Sequence, residues 1–293
     1  MRVKKTKANK YGVIPTFLVL IILVVSGIYA QITERQFAPI DNSLNIYCID
    51  VGQGDCTYMV FPDGKTMLID AGENNEDAYL KLQDYVKDEI DYFVLTHPHS
   101  DHAGGAEDIL DTYETAKIFM PDVANATSFY EKLIDKISDK GIPVIEAKSG
   151  VTIHESDNFK AEIISPHEKG YNDLNNMSAV VRITYGDKAF LFMGDAEKEV
   201  EQNITTDVKS DFIRVGHHGS VTSSSEEFLS RVKPEYAVIS VGEFNDYSHP
   251  HEEVLERYAK IGAQIYRTDL MGDIFVTSDG KAIEISYKEE FSY

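Results

Sequence analysis

The chain has 293 residues, 43% of them hydrophobic and 11% aromatic, which excludes a disordered body and suits one large α/β domain or two small ones. Its formal net charge is −21, and five Lys and Arg residues fall in the first ten positions, so the body is more acidic still. Strong passive binding of nucleic acid through surface counter-ion release is thereby excluded, and any polyanion must be held locally.

Residues 1–12 form a basic segment, and residues 13–32 follow with no charged side chain and a dominance of Leu, Ile and Val. Twenty such residues at about 1.5 Å each reach about 30 Å, enough to cross a bilayer, with the cationic flank in the cytoplasm. The run predicts a single transmembrane helix with the remainder of the chain outside the cytoplasm, in the cell membrane. The alternative is a secreted protein whose signal peptide is cleaved after Ala30. Residues 33–43, with Pro39 and Asp41-Asn42-Ser43, read as a linker.

From residue 44 to 293, short β-rich runs alternate with amphipathic stretches, the pattern of a layered α/β domain. Strands are expected at 45–51, 57–61, 66–70, 92–96, 117–120, 143–147 and 161–165. A second group is expected at 179–185, 188–193, 211–215, 236–241, 263–266, 272–277 and 282–286. Helices are expected at 77–87, 128–140, 198–205, 224–232 and 251–261. Pro62-Asp63-Gly64 and Tyr185-Gly186-Asp187 read as hairpin turns. Cys48 and Cys56 lie eight residues apart in an expected hairpin, where packing as two small core residues is favoured over a cross-strand disulfide.

Thr96-His97-Pro98-His99-Ser100-Asp101-His102 directly follows an apolar strand. Neutral imidazole is a common transition-metal ligand. In an extended loop His97 and His99 can reach one metal, while Asp101 and His102 reach a second. Asp70 and Asp195 end two further apolar strands; Asp195 is the bridging carboxylate that two neighbouring cations need. Gly216-His217-His218-Gly219 ends another. Adjacent side chains on extended backbone point to opposite faces, so His217 is assigned as ligand and His218 is left for substrate. His249 follows a strand and is assigned to protonate a leaving group or hold phosphate. Arg182 and Arg214, on buried-looking strands, are expected to pair with internal carboxylates.

In order, Asp70, His97-x-His99-x-Asp101-His102, Asp195 and His217 resemble the motifs of the metallo-β-lactamase superfamily, from about residue 45 to the C-terminus. Asp50-Val51-Gly52-Gln53-Gly54-Asp55, Val215-Gly216-His217-His218-Gly219-Ser220 and Ser248-His249-Pro250-His251 are similar to the C-terminal hydrolase domain of DNA-uptake competence proteins of the ComEC type. The resemblance implies a four-layer αββα sandwich. It also implies a third His on the first metal, where this chain has Asn175-Asn176-Met177-Ser178 instead. Asn176, Ser178 or a swinging His167 are the candidates to stand in, with Asp70 a further weak ligand or lining residue. Oxygen donors there would favour Mn²⁺ more than an all-His site does. ComEC-type proteins also carry a many-helix channel, for which only a separately encoded partner could substitute here.

These readings predict a phosphodiester hydrolase, a nuclease acting outside the cytoplasm on DNA or another phosphodiester. Two divalent ions, Zn²⁺ or Mn²⁺, would direct hydroxide onto phosphorus, with Asp101, His218 and His249 at the reacting centre. The competing classes are a hydrolase of another ester or amide, β-lactam included, and a metal-holding binding domain without turnover.

Overall fold

Sequence alternation becomes two stacked sheets in the computed structural model, which describes residues 38–74, 77–86, 89–167 and 170–287. The first sheet takes β1 (Leu44–Cys48), β2 (Thr57–Val60), β3 (Thr66–Ile69), β4 (Glu89–Val94), β5 (Glu114–Met120), β6 (Val144–Glu146), β14 (Ile274–Ser278) and β15 (Ile283–Tyr287). Their order is β15-β14-β1-β2-β3-β4-β5-β6. The second sheet takes β7 (Val151–Ser156), β8 (Phe159–Ser165), β9 (Val180–Tyr185), β10 (Lys188–Phe192), β11 (Phe212–Arg214), β12 (Tyr236–Ile239) and β13 (Gln264–Arg267), in the order β13-β12-β11-β10-β9-β8-β7.

Each sheet is half antiparallel and half parallel, the parallel runs being β3 to β6 and β10 to β13. Parallel pairing places successive carboxyl ends on one edge of each sheet, where ligands gather in open α/β folds. Ile46, Met59, Met67 and Val94 of the first sheet meet Ile163, Val181, Phe190 and Phe192 of the second in one buried cluster. Residues 39–293 form one compact unit.

Helices cover the outer faces. On the second sheet, Val200 of α5 (Lys198–Asn203), Phe228 and Leu229 of α6 (Glu226–Val232), and Val254 and Tyr258 of α7 (Glu252–Lys260) bury against Leu191, Ile213 and Ile239. On the first, α3 (Ala106–Thr112) packs on β5 and on α1 (Asp77–Leu82) and α4 (Ser128–Lys140). In α4, Tyr130, Leu133 and Ile137 recur at helical spacing on the buried face, and Gly141 at φ 63° ends the helix. The Ser225 hydroxyl caps α6 by accepting from Phe228 N–H at 3.3 Å.

The predicted run 13–32 and the start of the linker lie outside the described residues. Among the described residues no helix is long and apolar enough to cross a membrane. The α/β sandwich agrees with expectation, while four elements differ. Strand β7 went unpredicted because this half-exposed edge strand carries only two apolar residues, Val151 and Ile153. Two short helices, α2 (Ser100–Ala103) and α8 (Thr268–Met271), are single turns too brief to show a period. Helix α3 also went unpredicted. Cys48 and Cys56 are free and buried, as the core reading expected.

Candidate metal centre

Five strands of the two sheets deliver their following residues to one place. Asp70 follows β3, the His97–His102 segment follows β4 and opens α2, Asp195 follows β10, His217 and His218 follow β11, and His249 lies in the loop after β12. A further backbone segment closes in behind them: Asp55 N–H donates to Asp101 O at 3.0 Å. Only glycine permits this approach at position 54, since a Cβ there would stand 2.5 Å from Asp101 O.

Donor atoms converge in two groups that share Asp195, and a third group joins Asp55, Asp70 and His102. Asp101, His102, Asp195 and His218 form one of the two; His97, His99 and again Asp195 form the other. Asp195 divides its carboxylate between them. Its Oδ1 lies 3.1 Å from His102 Nε2 and 3.6 Å from His218 Nε2, whereas Oδ2 lies 3.8 Å from His97 Nε2. His97 Nε2 and His99 Nδ1 face each other at 3.0 Å.

A layer behind the donors sets the imidazole tautomers. Asp70, fully buried, accepts from His102 Nδ1–H, from Thr96 Oγ1–H and from Thr96 N–H, each at 2.7 Å. Thr96 Oγ1, its hydrogen spent on Asp70, accepts from His97 Nδ1–H at 3.1 Å. One carboxylate thus leaves Nε2 of both His97 and His102 as a lone pair aimed into the centre. His218 Nδ1 is held by Ser240 O at 3.0 Å and by Asp55 Oδ1 at 3.4 Å, and Asp55 is paired with buried Arg214 at 2.7 Å.

These residues fit a pair of cations. Asp55, Asp70, Asp101 and Asp195 converge with one guanidinium, that of Arg214, so neutral imidazoles leave negative charge that a buried site cannot hold uncompensated. His102 Nε2 and Asp195 Oδ1 are both buried without a hydrogen-bond partner. Burial, followed by the neighbouring His102, drives the His97 imidazole well below its ordinary value and keeps it neutral. Burial opposes charge on His102 as well, but Asp195, Asp101 and Asp70 outweigh it and hold that ring well above the usual range until a cation replaces the proton.

Several sequence assignments change. His218, not His217, joins the second donor group. The argument from extended backbone fails because both residues are left-handed, at φ 49° and 51°, in the turn Gly216–Gly219. Such backbone is strained for non-glycine residues. It brings both rings to the pocket: His218 is buried, and His217 stands at the mouth with Nε2 3.7 Å from Asp195 Oδ2. Glu197 and Thr222 hold its Nδ1 at 3.3 and 3.1 Å.

Asn176 is occupied elsewhere: its Oδ1 accepts from Glu197 N–H at 3.1 Å, and its amide donates to Glu199 at 3.3 Å. Ser178 Oγ accepts from Asp195 N–H at 3.0 Å and lies 3.4 Å from His97 Nδ1, behind the donors. Asp70 likewise orients ligands rather than joining either group that shares Asp195. Exposed His167 bonds Ser149 Oγ at 3.1 Å and joins no donor group. Asn175, which the sequence reading passed over, lines the pocket with a buried Oδ1 that has no hydrogen-bond partner. The internal pairing expected of Arg214 is found, with Asp55 at 2.7 Å, whereas Arg182 pairs at 3.3 Å with Asp207, which is solvent-exposed.

The pocket over the centre encloses about 390 Å³ and is lined by His99, Asp101, Phe129, His217, Tyr247 and His249 among others. Burial, and then the neighbouring His218, His217 and His251, push the His249 imidazole down to about 4, so it enters neutral pH uncharged.

Residues 49–243 match the family model of the metallo-β-lactamase superfamily. The chain is 31% identical over 248 residues to ComE operon protein 3 of Bacillus subtilis (strain 168), covering 77% of this chain and 32% of that protein. It is 32% identical over 244 residues to Recombination protein 2 of Haemophilus influenzae, covering 81% of this chain and 29% of that protein. The chain therefore spans about a third of the length of the curated relatives it matches. Among solved structures, the diiron β-hydroxylase CmlA of Streptomyces venezuelae superposes with a TM-score of 0.55 at 14% identity, covering 82% of this chain and 54% of that one. Igni18, a metallo hydrolase of Ignicoccus hospitalis, superposes at 0.52 with 17% identity, covering 80% and 98%. Two stacked sheets, a shared carboxylate between two His-rich donor groups and the family match agree: the chain belongs to the metallo-β-lactamase superfamily of metal-dependent hydrolases.

Proposed function

We propose that this chain hydrolyses phosphodiester bonds of nucleic acid at a two-cation centre. The observation that supports the reading is the divided carboxylate of Asp195, which faces both donor groups as a ligand shared by two neighbouring cations would. In that role His97, His99 and Asp195 would hold one ion, and Asp101, His102, His218 and Asp195 would hold the other. Two adjacent divalent ions, Zn²⁺ or Mn²⁺, supply Lewis acidity toward both the entering and the leaving oxygen of an in-line displacement and generate a nucleophile at neutral pH. Similarity to a protein named for recombination supports a nucleic-acid substrate.

The chain's own residues then position the phosphate. His249 and His217 stand beside each other at the mouth with ring centroids 5.6 Å apart, and the neutral His249 ring offers an N–H to a phosphate oxygen. At about 4, His249 is a holder of phosphate rather than the proton donor to a leaving group. The Asn175 carboxamide lines the same pocket. On this reading the run 13–32 anchors the unit in the membrane with the centre outside the cytoplasm, and a separately encoded channel would supply any conduit for DNA.

The test loads the protein separately with Mn²⁺ and Zn²⁺ and incubates it with end-labelled single- and double-stranded DNA and with bis-p-nitrophenyl phosphate. A chromogenic cephalosporin and an Asp101→Ala/His102→Ala variant serve as controls. Phosphodiester cleavage lost in the variant is expected. Cleavage of the cephalosporin alone, or bound metal without turnover of any substrate, would overturn the reading.

A further inference from the structure

Beside the centre lies a feature that phosphate chemistry does not use. The loop after β12 carries Phe244, 92% exposed, and Tyr247, 63% exposed, the two most exposed aromatic rings among the exposed large hydrophobics of the described residues. Leaving Phe244 in water forgoes the stabilisation that burying its ring would bring. Its backbone is also left-handed, at φ 55°, a conformation that bulky residues rarely adopt.

This exposure does not come from slack chain. Asn245 uses its whole hydrogen-bonding capacity to shape the loop. Its amide donates to Gly242 O at 3.0 Å and His249 O at 2.7 Å, and its Oδ1 accepts from Tyr247 N–H at 3.2 Å and His249 N–H at 3.0 Å. The loop base is pressed against the opposite sheet, where a Cβ on Gly242 would stand 2.6 Å from Gln53 N. Such a loop presents its aromatics by construction.

The rings also continue into the centre. Tyr247 stacks on His249 with centroids 5.7 Å apart at 23°, and His249 stacks on His218 at 6.3 Å and 29°. A ladder of near-parallel rings thus runs from solvent to a metal-donor imidazole, and Phe129 also lines the pocket. A chain of charge −21 cannot follow a polyanion along a cationic groove. Contact with the face of a base needs no such groove and tolerates any sequence, because every base has a π-face.

We infer that Phe244 and Tyr247 form a base-stacking rim, which takes an unpaired nucleobase next to the phosphate held over the centre and so makes single-stranded nucleic acid the preferred substrate. The inference rests on the phosphodiesterase reading and names the substrate class of the same site. In a duplex the bases are stacked on one another and their faces are not available to the rim.

The experiment compares a short oligothymidylate with an oligomer of equal length built from abasic tetrahydrofuran units, using metal-loaded protein. Steady-state cleavage gives KM and kcat, and fluorescence anisotropy of labelled oligomers gives binding independently of turnover. Wild type should favour the thymidylate by about 5- to 100-fold in KM and in affinity. Phe244→Ala and Tyr247→Ala should each shrink that preference through KM, and Tyr247→Phe should keep it. Equal cleavage and binding of the two oligomers by wild type, or an undiminished preference in both alanine variants, overturns the rim while leaving the phosphodiesterase reading standing. A base preference in binding that the alanine variants lose, with no cleavage of either oligomer, upholds the rim and overturns the phosphodiesterase reading.

Discussion

Asp70 touches neither donor group's open side, yet its replacement by asparagine is expected to disable both. Thr96 N–H donates to Oδ1, whereas Thr96 Oγ1–H and His102 Nδ1–H both donate to Oδ2, all at 2.7 Å. In Asp70→Asn the amide nitrogen takes the place of Oδ2 and donates where it had accepted. His102 relieves the conflict by moving its proton to Nε2, the atom meant for a cation. Thr96 Oγ1 now receives a hydrogen from the substituted carboxamide and turns its own toward His97 Nδ1, which drives the second imidazole the same way. The variant is nearly isosteric, so stability should fall by only about 1–3 kcal/mol, the cost of one poorly satisfied buried group. Metal affinity should fall by roughly 10- to 100-fold, as for other residues that orient ligands. Competition against a chromophoric chelator measures that affinity, and two-bond ¹H–¹⁵N spectra of the imidazoles read the tautomers. Dissociation constants within twofold of wild type for both ions, with Nδ1 still protonated on His102, would refute the reasoning.

Three other outcomes follow from the same structure. Arg214→Met strands the buried Asp55 carboxylate, so urea unfolding of the variant should show a loss of about 3–5 kcal/mol, and an unchanged midpoint would show that the pair contributes nothing. Without cations, burial opposes charge on His218 but Asp195, Asp101 and Asp55 push it up to about 10. Because that pKa lies above the unfolded value, the ring carries its proton below about 10, and metal must displace it. Loading at pH 8 should therefore release protons, read by calorimetry in buffers of different ionisation enthalpy, and affinity should rise as pH rises toward 10. Burial pushes the Cys48 thiol up to about 11 and Cys56 well above its ordinary value, so native protein should leave both unreacted with Ellman's reagent at pH 8 and expose two thiols in denaturant.

The donor cluster was legible because metal chemistry restricts residue type: three imidazoles and a carboxylate within six residues after a strand leave few other uses. Asp195 was legible for a similar reason, as a carboxylate at a strand end that two cations require. Helix α4 and most strands were legible from the period of their apolar residues, whereas β7, α2 and α8 were not, since an edge strand or a single turn buries too little to leave a period. Asp55 entered only as the last residue of a motif that carries the family resemblance, with no role attached, and Tyr247 gave no signal, because a lone tyrosine in a loop is ordinary in sequence.

Sequence by itself therefore determined the layered α/β class, the family resemblance and the identities of His97, His99, Asp101, His102 and Asp195 as candidates, because those follow from residue chemistry and local spacing. Tertiary structure alone decided that His218 rather than His217 joins the donors, through two left-handed residues that no local pattern announces. It alone made Asp70 the orienting acid of two histidines and set an aromatic rim beside the centre, since those relations join residues far apart in the chain.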